Sequence, residues 1–192
     1  MKIAVFASGF GSNFEALIEA QSNGSLPADI ALLVTDKPDC YAVERAKQHR
    51  IETFAFKAKE YASKENYETV LVDLLKEKGI GLVVLAGYMR IVGDVLLAGY
   101  QGRILNIHPS LLPAFPGLHA IGKAYEYGVK VFGVTIHYVD QGVDTGRIIA
   151  QDCFKANGNE SLEEIENRIH QLEHKLYPVV VRDIIEKLKK EI

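Results

Sequence analysis

Apolar residues along the chain come in short, nearly continuous runs, separated by longer stretches in which they recur every three or four positions. KIAVFA (2–7), DIALLVT (29–35), TFAF (53–56), GLVVLAG (81–87) and RILNIH (103–108) are runs of the first kind. Between them 13–21, 40–49 and 64–78 read as helices, the last with Val70, Leu71, Leu74 and Leu75 on one side. Strands that are apolar throughout are covered on both faces, so the alternation predicts an α/β fold with helices flanking a mostly parallel sheet. Past residue 130 the pattern changes. VFGVTIHYV (131–139) and GRIIAQDCF (146–154) flank a short turn rich in Asp and Gly, which favours antiparallel strands at one side of the sheet. Ser161-Leu-Glu-Glu164 has the spacing of a capping box and opens a long C-terminal helix to about 190, with a kink expected at Pro178. No repeat, low-complexity tract or linker interrupts the pattern, and one domain over 1–192 is expected.

Composition adds exclusions. The 192 residues are 48% hydrophobic and 24% charged, enough for a core without disulfide or metal staples. A net charge of −3 with both signs mixed along the chain offers no basic face for nucleic acid. Cys40 and Cys153 are far apart and form no Cys-x-x-Cys pair, which fits a reducing, cytoplasmic setting. No apolar run approaches the ~18 residues of a membrane span, and the first run is too short for a signal-peptide core.

In parallel α/β sheets ligands sit outside the carboxyl ends of the strands, so loops 8–13, 87–92 and 108–117 should line one crevice. The first of these, Ser8-Gly-Phe-Gly-Ser-Asn13, brings bare backbone N–H groups to a helix N-terminus. It is two-thirds of a dinucleotide fingerprint, since Phe14 stands where a third glycine belongs, and it does not match the Gly-x4-Gly-Lys phosphate loop. Ser12 and Asn13 offer donors suited to a phosphate monoester. The alternative is a tight turn with Ser12 or Asn13 as the helix N-cap.

His170-Gln-Leu-Glu173-His174 matches an inverted zinc-protease spacing. A hydrolytic zinc site needs a third protein ligand, and only Asp183, Glu186 and Glu191 follow as carboxylates, all expected on the same helix. No metal is expected. Chemistry converges instead on Asn106-Ile107-His108-Pro109. Residues i and i+2 of a strand share a face, so Asn106 and His108 project side by side at the strand's carboxyl end. An amide N–H and an imidazole N–H suit a developing oxyanion, against the plainer reading of a satisfied core histidine. Asp144, in the turn Asp140-Gln-Gly-Val-Asp144-Thr-Gly146, is a candidate carboxylate partner for His108; Asp140 competes for that role, and either is also a good turn former. Ser110 follows the histidine but sits in no nucleophile elbow, and Cys40 and Cys153 have no local activating partner. Oxyanion donors without a protein nucleophile suggest that one substrate attacks another directly.

The run Asn106-Ile-His108-Pro-Ser-Leu-Leu-Pro113, with its downstream Asp, resembles the signature of the folate-dependent formyltransferases. The loop Ser8-Gly-x-Gly-Ser-Asn13 and the minimal length narrow the resemblance, which runs end to end, to the phosphoribosylglycinamide formyltransferases. It implies a Rossmann-like formyltransferase fold and transfer of formyl from 10-formyltetrahydrofolate to the primary amine of glycinamide ribonucleotide. It further implies that Gly11, Ser12, Asn13 and Glu173 hold the ribonucleotide, that Met89, Arg90, Ile91, Val92 and Asn106 line the folate site with Lys64 reaching it, and that the Leu112–Pro113 bond is cis. Asn106 and His108 would stabilise the oxyanion, and Asp144 would keep His108 protonated. Three positions depart from the family pattern: Phe10 replaces an Asn, Lys64 a frequent Arg, and His170 a Lys or Gln near the phosphate. Competing readings are a formyl-folate hydrolase, a tRNA formyltransferase with a further basic domain, and a nucleotide-binding module without turnover. A homodimer is compatible with the sequence.

Overall fold

The computed structural model describes residues 1–190. In chain order the elements are β1 (Lys2–Phe6), α1 (Ser12–Ser22), β2 (Asp29–Thr35), α2 (Tyr41–Gln48), β3 (Thr53–Ala55), α3 (Lys64–Glu77), β4 (Ile80–Leu85), α4 (Asp94–Gly99), β5 (Ile104–His108), α5 (Ala120–Tyr127), β6 (Val131–Tyr138), β7 (Ile148–Lys155) and α6 (Leu162–Lys190). Among the described residues the strands form one sheet in the order β3-β2-β1-β4-β5-β6-β7. β3 to β5 run parallel, and β6 and β7 are antiparallel to their neighbours. Strand order reverses between β1 and β4, the switch point at which doubly wound sheets open a crevice.

Each face of the sheet is covered. Ile3, Val5, Leu82, Val84, Leu105 and Ile107 pack on one side with α1, α2 and α6. Ala4, Phe6, Val83, Leu85 and Ile104 pack on the other with α3 and α4. Tyr177 of α6 is fully buried, and its hydroxyl donates to the carbonyls of Leu85 (2.8 Å) and Leu105 (3.3 Å), clamping β4 to β5. The capping box at α6 is reciprocal: Glu164 N–H donates to Ser161 Oγ at 3.2 Å, and Ser161 N–H to Glu164 Oε2 at 2.7 Å. α6 continues as one helix through Pro178, and Glu191, expected on it, lies outside the described residues. No described helix is long and apolar enough to cross a membrane.

Several expectations need correcting. α4 and α5 are not apparent in the hydrophobic pattern, being six and eight residues long. The N-terminus of α4 is held by the buried carboxylate of Glu68 on α3, which accepts from Gly93 N–H (2.6 Å) and Leu96 N–H (3.2 Å). Such a cap comes from tertiary structure and leaves no local signal. Val70 is 41% exposed, because the buried stripe of α3 runs through Tyr67, Glu68, Leu71, Val72 and Leu75. Neither Ser12 nor Asn13 caps α1; Gly11 is the N-cap, in the left-handed region at φ 75°.

Candidate functional site

Leu105 and Ile107 turn into the α1/α6 side of the sheet, so Asn106 and His108 face the α3/α4 side at the carboxyl end of β5. Antiparallel pairing sets His137 opposite Asn106 and Thr135 opposite His108. Asp144 completes the cluster from the β6–β7 connection. Its Oδ2 lies 3.2 Å from His108 Nδ1 and accepts from Gly117 N–H at 2.8 Å. Its Oδ1 lies 3.4 Å from Asn106 Nδ2 and 3.5 Å from His137 Nε2. The Asn106 amide is thereby oriented, since the flipped rotamer would set oxygen against carboxylate. His137 Nδ1–H donates to Tyr138 O at 2.9 Å, and its Nε2 sits 3.1 Å from Asn106 Nδ2. Asp144 is held below the ordinary carboxylate range, first by its hydrogen bond with His137, then by Gly117 N–H and the charge of His108; burial opposes this. Asp140 is engaged elsewhere, accepting from Gly142 N–H and Thr145 Oγ1.

His108 is buried with both ring nitrogens facing oxygens: Nδ1 toward Asp144, and Nε2 donating to Phe115 O at 2.8 Å. The doubly protonated ring is the form that satisfies both. Phe115 (φ 54°) and Asp144 (φ 56°), which grip the two nitrogens, are both non-glycine residues in the left-handed region, a costly conformation that clusters at functional sites. The turn between His108 and Phe115 is fastened to the sheet. Thr135 Oγ1 donates to Ser110 O (2.7 Å) and accepts from Leu112 N–H (3.0 Å), while Gln151 Nε2 donates to Leu112 O (2.9 Å). The Leu112–Pro113 peptide is cis. Ser110 Oγ donates to Ala114 O at 2.6 Å and is not directed at His108.

The loop after β4 follows the same edge. Met89 N–H donates to Ser8 Oγ (2.9 Å), and Ser8 Oγ donates to Asp36 (2.5 Å), so the 89–92 segment is pinned where it leaves β4. Glu68 pins its far end at Gly93. Met89 and Ile91 are 57% and 62% exposed, Val92 is buried, and the Arg90 guanidinium lies over the Tyr67 ring. Lys64 opens α3 close enough to Gly93 that any side chain there would strike its Cε.

On the opposite face α1 and α6 bring a second polar group together. Asn13 Nδ2 donates to Glu173 Oε2 at 3.0 Å, and His170 Nδ1 meets the same oxygen at 3.1 Å. Asn13 Oδ1 and His174 Nε2 are buried without a partner. His170 is made more basic than usual by its hydrogen bond to Glu173, whereas burial makes His174 less so. Ser12 and His174 line a cleft of about 440 Å³ between α1 and α6. Among the described residues no group of three His, Cys, Asp or Glu side chains is placed to hold a metal.

The fold thus collects Asn106, His108 and Asp144 in one cluster, Asn13, His170 and Glu173 in another beside Gly11 and Ser12, and Lys64 with Met89–Val92 along a third loop. Sequence reasoning missed His137, which with Thr135 interrupts the apolar run of β6 two positions apart, and missed His174 as a neighbour of the Gly11–Asn13 loop. It also missed that a carbonyl occupies His108 Nε2.

The doubly wound sheet thus carries a polar Asn/His/Asp cluster at its carboxyl edge. The formyl transferase family model matches residues 1–181, and the chain belongs to that family. The phosphoribosylglycinamide formyltransferase of Bacillus subtilis (strain 168) is 51% identical over 184 residues, covering 96% of this chain and 94% of that protein. Two solved structures are similar throughout. The phosphoribosylglycinamide formyltransferase of Bacillus halodurans superposes with a TM-score of 0.94 at 54% identity, over 98% of this chain and 97% of that one. The glycinamide ribonucleotide transformylase 1 of Geobacillus kaustophilus gives 0.93 at 51%, over 95% and 97%.

Proposed function

We propose that this chain, acting as one domain, transfers the formyl group of 10-formyltetrahydrofolate to the primary amine of glycinamide ribonucleotide, a step of de novo purine biosynthesis. The observation that carries the reading is the Asn106–His108–Asp144 cluster at the end of β5, in a member of the formyl transferase family. The ribonucleotide phosphate would lie on the N–H groups of Gly11, Ser12 and Asn13 at the start of α1, where the helix dipole favours an anion. Glu173 and His170 face that position from α6. The folate would lie along Met89, Arg90, Ile91 and Val92, with Lys64 beside it.

In this reading the substrate amine attacks the formyl carbon and its oxygen takes the negative charge. Asn106 Nδ2 and His108 Nε2 are the donors to that oxygen. His108 Nε2–H must first exchange the Phe115 carbonyl for the oxyanion, so productive binding shifts the 113–117 turn. Asp144 balances the imidazolium and orients both donors. A proton passes from the attacking nitrogen to N10 of the folate, and the bond from the formyl carbon to N10 breaks. Two unpaired cysteines, Cys40 and Cys153, accord with a cytoplasmic setting. Incubation with both substrates, followed by the absorbance of deformylated folate, tests the reading. Release without the ribonucleotide would indicate a hydrolase, and no release in either case would refute formyl transfer.

A further inference from the structure

The loop read above as the phosphate site is held open from behind by α2. Three successive carbonyls are turned away from the crevice: Gly9 O accepts from Ala42 N–H (3.1 Å), Phe10 O from Arg45 Nε–H (3.0 Å), and Gly11 O from Glu15 N–H (3.0 Å). With the carbonyls tied back, the amide N–H groups at the start of α1 are left facing the crevice, as in other anion-binding backbone concavities. The packing is close. A Cβ on Gly11 would stand 2.9 Å from the Ala42 Cβ.

Of the three anchors only the one on Phe10 comes from a side chain. Arg45 makes it while pairing with Glu15 at 2.6 Å, and its guanidinium lies 4.6 Å from the Phe10 ring centre and 4.9 Å from that of Tyr41. The two rings stack on each other at 5.0 Å. Glu15 sits in the first turn of α1, where an uncompensated carboxylate would repel an incoming phosphate. Arg45 therefore does two things at the loop: it fixes the Phe10 carbonyl and, together with His49 Nε2 at 2.9 Å from Glu15 Oε1, masks a negative charge.

We infer that Arg45, seated on the Phe10–Tyr41 stack, is a positioning residue for recognition of the ribonucleotide phosphate; this rests on the formyltransferase reading above. It acts through the loop and makes no contact with the reacting atoms. The prediction is a loss confined to the phosphate-bearing substrate. Arg45→Met should raise KM for glycinamide ribonucleotide about threefold to tenfold, the worth of one anchoring hydrogen bond, with KM for the folate unchanged. Arg45→Lys keeps the charge beside Glu15 but places no donor at Nε, so it should show only the part of the shift that comes from losing the Phe10 anchor, smaller than that of Arg45→Met. The diagnostic substrate is the phosphate-free glycinamide riboside, whose kcat/KM should not respond to either variant. Adding Glu15→Gln to Arg45→Met removes the carboxylate left facing His49 alone and should restore only part of the loss. Equal losses on riboside and ribonucleotide, complete rescue by Glu15→Gln, or an unchanged ribonucleotide KM would each overturn the inference while leaving formyl transfer intact. No turnover by the unaltered chain would overturn the reading and this inference together.

Discussion

Asp144→Asn is the substitution that separates orientation and charge balance from mere shape, because asparagine is nearly isosteric with aspartate. In the native cluster the two carboxylate oxygens face four polar groups: Gly117 N–H and His108 Nδ1 on Oδ2, and Asn106 Nδ2 and His137 Nε2 near Oδ1. An amide keeps one acceptor. With that oxygen toward Gly117 and His108, the new NH2 opposes the Asn106 NH2, and Asn106 must rotate away from the oxyanion position. With it toward Asn106, the NH2 opposes Gly117 N–H and His108 Nδ1–H, and the counter-charge of the imidazolium is lost as well. Hydrogen bonds to charged groups contribute about 1.5–3 kcal/mol each. Losing one outright and the charge assistance of another removes about 3 kcal/mol of transition-state orientation, or roughly 10²-fold in kcat. In the proposed reading the Asp144 carboxylate meets neither the phosphate nor the pterin, so both KM values should stay within about threefold. Steady-state kinetics with each substrate varied in turn measures this. A kcat near the parent value, or a loss appearing in KM alone, would refute the role assigned to Asp144. The carboxyl also stabilises the fold through its lowered pKa. That contribution is present above the ordinary carboxylate value of 3.8 and is lost as pH falls through the lowered native value, so the acid unfolding of Asp144→Asn should lack it.

His108→Ala should lower kcat about 10²-fold or more while leaving ribonucleotide binding measurable by calorimetry; normal turnover would remove His108 from the oxyanion site. His170 is more basic than the ordinary 6.5, so its charge persists above that value, and ribonucleotide affinity should decline as pH rises through the raised value. His170→Gln should flatten that decline in binding titrations, and an unchanged profile would show that His170 does not face the phosphate. Tyr177→Phe removes the hydroxyl that bridges Leu85 O and Leu105 O, and should cost about 1 kcal/mol, seen as a fall of about 2–4 °C in Tm by calorimetry.

The parts of the site that could be read from the residues are those carried by strand parity. Asn106 and His108 interrupt an apolar run two positions apart, and that alone places them on one face. Thr135 and His137 interrupt β6 in the same way, but parity does not say which strand they meet until the antiparallel register sets them opposite His108 and Asn106. Asp144 stayed ambiguous with Asp140 because both are turn residues, and only the tertiary path of the 140–146 connection distinguishes them. The helices show the same division. α3 and α6 bury enough apolar residues to leave a periodic trace, whereas α4 depends on the Glu68 carboxylate donated across the structure. The contact of Phe115 O with His108 has no signature in sequence, since it is made by a backbone carbonyl whose position follows from a left-handed residue in a proline-rich turn.

The most direct test of the account is a single-turnover experiment with purified protein, formyl-labelled 10-formyltetrahydrofolate and excess glycinamide ribonucleotide. The account predicts that the label appears stoichiometrically on the ribonucleotide amine, with no formate released and no formylated protein formed. Formate as the product, or a labelled protein intermediate, would contradict direct transfer at the Asn106–His108–Asp144 cluster.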